Sequence, residues 1–92
     1  MFYLICYDIV NDSRRNKVSK LLEAYGLRVQ KSVFECVLDE KQQESLQKRL
    51  LKLLNKRSDQ VRFYPLSAHC RCKVVVLGMQ PEFVVDDAAF IV

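Results

Sequence analysis

Apolar residues fall along this chain in two rhythms, and the switches between them predict its elements. Residues 2–9 form a nearly unbroken apolar run rich in aromatic and branched side chains. The run is long enough for a strand and too short for a helix, and with both faces apolar it belongs at the centre of a sheet. Asn11, Asp12 and Ser13 then offer three N-caps, Val18, Leu21, Leu22 and Tyr25 recur at helical spacing, and Gly26 offers a stop. Residues 28–38 are β-rich through Val29, Val33, Phe34 and Val37, either as one bent strand or as two strands joined near Lys31. Asp39 with Gln42 three residues later resembles a capping box, and Leu46, Leu50, Leu53 and Leu54 mark the buried stripe of a second helix that should run to about Arg57.

Residues 61–66 alternate as a strand does, 67–72 read as a loop, and 73–79 predict a further strand around Val74-Val75-Val76-Leu77. Gln80-Pro81 breaks the chain. The tail beyond it is apolar apart from Glu82 and the pair Asp86-Asp87, so it should pair as an edge strand, on the sheet of a second subunit or back on its own domain. This order predicts an α+β class: a ferredoxin-like βαββαβ antiparallel sheet, two helices on one face, and an extra C-terminal strand. The 92 residues suffice for one domain, 1–92, with 80–92 as its tail.

Charge adds a partner to this picture. The formal net charge is +4, and the cations are grouped. Between residues 13 and 34 Arg14, Arg15, Lys17, Lys20, Arg28 and Lys31 face one acid, Glu23, and between 48 and 73 eight more cations face Asp59 alone. Such clusters draw polyanions and raise encounter rates, so phosphate backbones are the first partner to consider, against the plainer reading of a solvated surface. Lys48, Lys52 and Lys56 recur every four residues away from the leucines as a basic ridge. No stretch approaches the roughly 18 apolar residues of a membrane helix, and the first residues lack a signal-peptide pattern, so a cytoplasmic protein without a membrane partner is expected. The four cysteines show no Cys-x-x-Cys spacing, and His69, Cys70 and Cys72 are one ligand short of a closed zinc site.

Asp8 is the residue that local patterning explains least. A carboxylate ending a central apolar strand has to be hydrated, paired or metal-bound. The helix start that follows carries Arg14 and Arg15. Read as chemistry, Asp8 ligates Mg²⁺ or Mn²⁺ while the arginines grip a phosphate. Read as structure, it caps the turn or pairs with Arg15. One carboxylate makes a weak metal site, but a two-fold dimer would double it. His69 is the only histidine and assembles no triad.

Tyr7-Asp8-Ile9, Arg14-Arg15, Lys17-Val18, the run from Gly26 to Gln30, Ser32-Val33-Phe34-Glu35, the 61–66 strand with Tyr64-Pro65, and the Leu-Gly at 77–78 together resemble the CRISPR-associated Cas2 family. The resemblance spans most of the chain. It implies a ferredoxin-like homodimer in which Asp8 holds Mg²⁺ (or Mn²⁺) near the axis and is the catalytic ligand. Tyr7, Arg15, Lys17, Arg28 and Phe34 are the surrounding functional residues it implies, with Arg14 and Lys31 as further phosphate contacts. Their ordinary roles would be core packing for Tyr7 and Phe34, and a pair with Glu35 for Arg28. The family pattern departs at Asn11, often Asp, and at Lys31, often aromatic. The activity implied is metal-dependent endonuclease action on single-stranded RNA or double-stranded DNA in CRISPR adaptation. The alternative is a non-catalytic DNA-binding scaffold of the Cas1 integrase complex. A third reading, an RNA-binding module stacking bases on Tyr3, Tyr7 and Phe63, lacks an aromatic-rich signature.

If the basic clusters bind phosphates, affinity for duplex DNA falls with salt by a slope of about −0.9 per phosphate neutralised. A titration between about 50 and 200 mM salt should return several such contacts; a slope near zero would contradict the polyanion reading.

Overall fold

The computed structural model describes residues 1–79. Among them are strands β1 (Phe2–Asp8), β2 (Gly26–Gln30), β3 (Val33–Val37) and β4 (Gln60–Leu66), and helices α1 (Asp12–Glu23), α2 (Glu40–Leu53) and the short α3 (Ala68–Arg71). The strands form one sheet in the order β2-β3-β1-β4, every pair antiparallel, which is the ferredoxin-like arrangement. The doubly apolar β1 is central, as its composition requires.

Local chemistry starts each main helix. The Asn11 side chain accepts a hydrogen bond from the Arg14 N–H at 2.9 Å and caps α1. Asp39 and Gln42 close a full capping box on α2. Both helices lie on one face of the sheet, where Val18, Leu22, Leu46 and Leu50 pack on Ile5, Tyr7, Phe34 and Cys36. Along β1 these core residues alternate with Leu4, Cys6 and Asp8, which belong to the other face together with their cross-strand partners Glu35, Val33, Tyr64 and Arg62. No helix covers that second face centrally, and it leaves Val37 58% and Tyr64 43% exposed. At its edge the Arg71 guanidinium lies 4.5 Å from the Phe2 ring centroid, a cation–π contact that helps bury Phe2.

The chain between 28 and 38 resolves into two strands with a turn at Lys31-Ser32, and a register shift between Arg28 and Gln30 marks a bulge. Tyr7 latches this turn to the end of β1. Its backbone N–H donates to the Ser32 carbonyl at 3.0 Å and its hydroxyl to the Lys31 carbonyl at 3.1 Å.

Four expectations change. Helix α2 ends at Leu53 rather than near Arg57, because Leu54 turns extended and the Asp59 carboxylate accepts from the Asn55 N–H at 2.9 Å, closing a turn instead. Lys56 therefore leaves the helical ridge of Lys48 and Lys52. Gly26 does not stop α1 with a left-handed residue; it opens β2, and a Cβ there would drive into the Glu35 carbonyl and Cys36. The 67–72 segment is not plain loop, since Ser67 caps α3 by accepting from the Cys70 N–H at 3.1 Å. Residues 73–79 form no strand among the described residues: the run pairs with neither open edge of the sheet, β2 or β4, and Leu77 stays 89% exposed. The predicted tail strand at 80–92 lies outside the described residues.

An ion pair clips the helical layer to the sheet. Arg14 Nε donates to Asp59 Oδ2 at 2.7 Å, and the Asp59 side chain is wholly removed from solvent. The Arg14 hydrogen bond, and after it the Asn55 N–H, hold the Asp59 carboxyl below its ordinary value of 3.8. The same hydrogen bond raises the Arg14 guanidinium.

Two outcomes follow from these contacts. Gly26→Ala should cost about 1–3 kcal/mol, read from the urea midpoint, because the added methyl meets backbone that cannot swing aside. A carboxyl held low in the folded state contributes stability above its unfolded value and loses it as pH falls through the folded one. Arg14→Ala should therefore lower the melting temperature at neutral pH, and the gap from the parent should close as pH falls below 3.8. A gap constant with pH would show that Arg14 acts through packing alone.

Candidate nucleic-acid and metal site

Because β1 is paired on both edges, its last residue is placed firmly. Asp8 stands opposite Gln60 of β4, exposed, on the sheet face away from the helices. Among the described residues its carboxylate has neither an ion-pair nor a hydrogen-bond partner. Both structural explanations for it therefore fail. Asn11, not Asp8, caps the helix. Arg15 pairs with Asp12 at 2.5 Å and donates to the carbonyls of Ile9 and Val10 at 3.3 and 3.2 Å. Arg15 thus braces the turn leaving Asp8 rather than neutralising it.

Beside Asp8, between α1 and the β2–β3 hairpin, a cavity of about 510 Å³ is lined by Tyr7, Asp8, Arg15, Ser19, Arg28 and Lys31, among others. Arg28 shares the helix-side face of the sheet with its register partner Phe34, whose ring centroid lies 5.5 Å from the guanidinium, and it donates to the Ser19 hydroxyl. Five of the residues singled out in the sequence, Tyr7, Asp8, Arg15, Arg28 and Lys31, meet here. Three do not. Arg14 is engaged with Asp59, Lys17 is exposed on α1 away from the cavity lining, and Phe34 is fully buried beneath Arg28.

The aromatic residues have structural work. Tyr7, 6% exposed, stacks with Phe34 at a centroid separation of 6.3 Å, and Tyr3 meets Phe63 edge-on at 6.0 Å against the core. Tyr7 is buried and Tyr3 and Phe63 are packed in part against the core, so these rings serve the fold, which counts against the base-stacking module. The Arg28–Glu35 pair also does not form, since the two side chains belong to opposite faces. Glu35 is instead pushed up by burial, with the nearby Arg71 opposing the shift. Burial, and then Glu35, push the Cys36 thiol up to about 12, so it behaves as a core residue and not a nucleophile.

Sequence reasoning missed Ser19, Asn16 and Ser32, which also line the cavity. The available signal was spacing: Ser19 lies four residues after Arg15 and so shares its helix face.

As for a metal, Mg²⁺ asks for six oxygens in near-ideal octahedral geometry. No group of three or more His, Cys, Asp and Glu gathers among the described residues, and that includes His69, Cys70 and Cys72. Asp8 is a hard oxygen donor of the right kind, yet one chain supplies only one such carboxylate. The donor set fits Mg²⁺ or Mn²⁺ if a second carboxylate, water or phosphate oxygens complete it. None of the described helices is long and apolar enough to cross a membrane.

Residues 1–74 match the family model described as CRISPR associated protein Cas2. A Synechocystis protein named CRISPR-associated endoribonuclease Cas2 3 is 51% identical over 79 residues, 86% of each chain. A Thermus thermophilus protein named CRISPR-associated endonuclease Cas2 2 is 47% identical over 79 residues, covering 86% of this chain and 83% of its own. The solved structure of a partial Cas6-RT-Cas1–Cas2 complex contains a chain with a TM-score of 0.74 and 30% identity, covering 91% of this chain and 97% of that one. With the predicted ferredoxin-like fold in place, these matches establish that the chain belongs to the CRISPR-associated Cas2 family.

Proposed function

We propose that this chain is a Mg²⁺-dependent endonuclease acting in CRISPR adaptation, working as a homodimer on phosphodiester bonds of single-stranded RNA or double-stranded DNA. The observation that carries the reading is the unpartnered Asp8 carboxylate at the end of β1, a residue that lines one cavity together with Arg28 and Lys31. The carboxylate is exposed to solvent, and the fold gives it neither an ion pair nor a cap, so it is open to a metal. Relatives named endoribonuclease and endonuclease support nuclease action without choosing between RNA and DNA.

The dimer follows from two needs. The sheet face carrying Leu4, Cys6, Val33, Val37 and Tyr64 mixes these apolar residues with Glu35 and Arg62 and is not covered by α1 or α2, so an isologous partner would bury its exposed apolar part. Asp8 ends the central strand on that same face, so a two-fold axis near this end brings two carboxylates together. The two Asp8 side chains would hold the ion, which when bound supplies Lewis-acid polarisation and a water of lowered pKa. The chain's own residues do the rest. Arg28 and Lys31 hold the anionic strand, and Arg15 fixes the turn that aims Asp8.

A second reading has support of its own: the neighbour in a Cas1–Cas2 complex favours a non-catalytic scaffold that binds DNA with a Cas1 partner. Asp8→Ala separates the two. With Mg²⁺, cleavage of labelled RNA and duplex DNA should drop to buffer background in the variant while sedimentation still reports a dimer and DNA binding persists. Should the purified parent cut neither substrate with Mg²⁺ or Mn²⁺, the scaffold reading replaces the nuclease.

A further inference from the structure

We infer that the cavity between α1 and the β2–β3 hairpin is a metal-independent subsite for a phosphate monoester: the terminal phosphate of a nucleic-acid strand, or a free mononucleotide. The inference deepens the reading of the chain as one that handles nucleic acid, and it names a chemical class for a part of the site that Asp8 does not explain.

Charge selects the class. Arg28 and Lys31 both line the cavity, and neither forms an ion pair among the described residues. The third cation of the lining, Arg15, is occupied by Asp12 and two carbonyls. Two uncompensated cations match a dianion. A monoester phosphate carries about −1.5 to −2 at neutral pH, whereas each internal phosphodiester carries a single charge. The end of a strand therefore neutralises this cavity better than its middle does. Asp8 also lines the cavity, with its side chain on the sheet face away from Arg28, and without a metal its charge opposes an anion, so the two cations must act against it.

The cavity is also built in advance. Arg28 is held by the Ser19 hydroxyl on one side and the Phe34 ring on the other, so little side-chain freedom remains to be lost on binding. The Lys31-Ser32 turn is fixed because Tyr7 draws both of its carbonyl oxygens toward itself, at 3.1 and 3.0 Å. The volume of about 510 Å³ exceeds what a lone ion needs and falls within the roughly 300–1,000 Å³ of small-ligand sites. No ring in it stacks on a base, since the Tyr7 and Phe34 rings are buried. Recognition thus rests first on the phosphate.

The test uses the full chain in buffer with EDTA and one labelled single strand carrying a 5′-phosphate, a 3′-phosphate or only hydroxyl ends, read by fluorescence anisotropy at fixed salt. At least one phosphorylated form should bind about tenfold more tightly than the hydroxyl form, the worth of one or two charge-assisted hydrogen bonds. Lys31→Glu, on the exposed turn, and Arg28→Gln should each erase that preference, with circular dichroism confirming the fold. Asp8→Asn should keep or strengthen it. Displacement of the phosphorylated strand by adenosine monophosphate but not adenosine supports the subsite and shows that a free nucleotide suffices. An intact preference without such displacement supports it with strand ends as the source. Equal affinity for all three strands, or a preference surviving in both cation variants, overturns the inference. Cleavage with Mg²⁺ is scored separately on the hydroxyl-ended strand. Its absence removes the nuclease reading while a terminal-phosphate preference would still stand, and the converse result removes the subsite alone.

Discussion

Strand β1 is hydrogen-bonded along both edges, to β3 and to β4, and it buries Ile5, Tyr7 and Ile9 beneath the helices. A strand held on two sides and packed on a third cannot slip, because a shift of one residue would turn its apolar set away from the core. Asp8 is the next position in that alternation and inherits the same certainty on the opposite face. The rest of the site is arranged against this fixed end: Tyr7 pulls in the hairpin turn, Arg15 ties down the exit of the strand, and Arg14 joins α1 to the turn just before β4. The chemistry of the chain is thus a consequence of ordinary sheet packing carried one residue past the core.

The basic residues divide by whether the fold has already used them. Arg14 is committed to Asp59, Arg15 to Asp12 and the strand-exit carbonyls, and Arg71 to the Phe2 ring beside Glu35. What remains for an anion near Asp8 is Arg28 and Lys31, both on the hairpin, with Lys17 exposed nearby in sequence on α1. A net charge of +4 describes the field that draws a polyanion in, but the local count decides what the polyanion meets on arrival. Guanidinium groups that brace backbone still add positive potential; they do not offer free donors.

The layout was largely legible in the chain itself, and the reasons differ by element. Residues 2–9 could only be a central strand, and the Asp39/Gln42 box announced α2, because each signal has one physical cause. The end of α2 was not legible, since it depends on Asp59, a residue beyond the helix whose carboxylate takes the Asn55 N–H. Gly26 misled for a related reason: glycine marks both left-handed caps and close backbone approach, and only the pairing with β3 shows that the second applies. Tyr7 and Phe34 carried the family motif, and their burial shows that a motif residue can serve a site by shaping it from below. The 73–79 run read as a strand because its composition is that of a strand, but strands are defined by a neighbour, and composition cannot supply one.

That last point bears on the whole assembly. Three features of the described residues are open in complementary ways: a sheet face with exposed Val37 and Tyr64 that α1 and α2 do not cover, an exposed valine-rich run after α3, and a carboxylate at Asp8 without a side-chain partner. The two-fold axis proposed at the end of β1 would bear on all three together. A fold that left only one of them unsatisfied would point to a local feature. Three together, on a chain whose buried side-chain polar atoms are all hydrogen-bonded among the described residues, are what the proposed homodimer would satisfy at once.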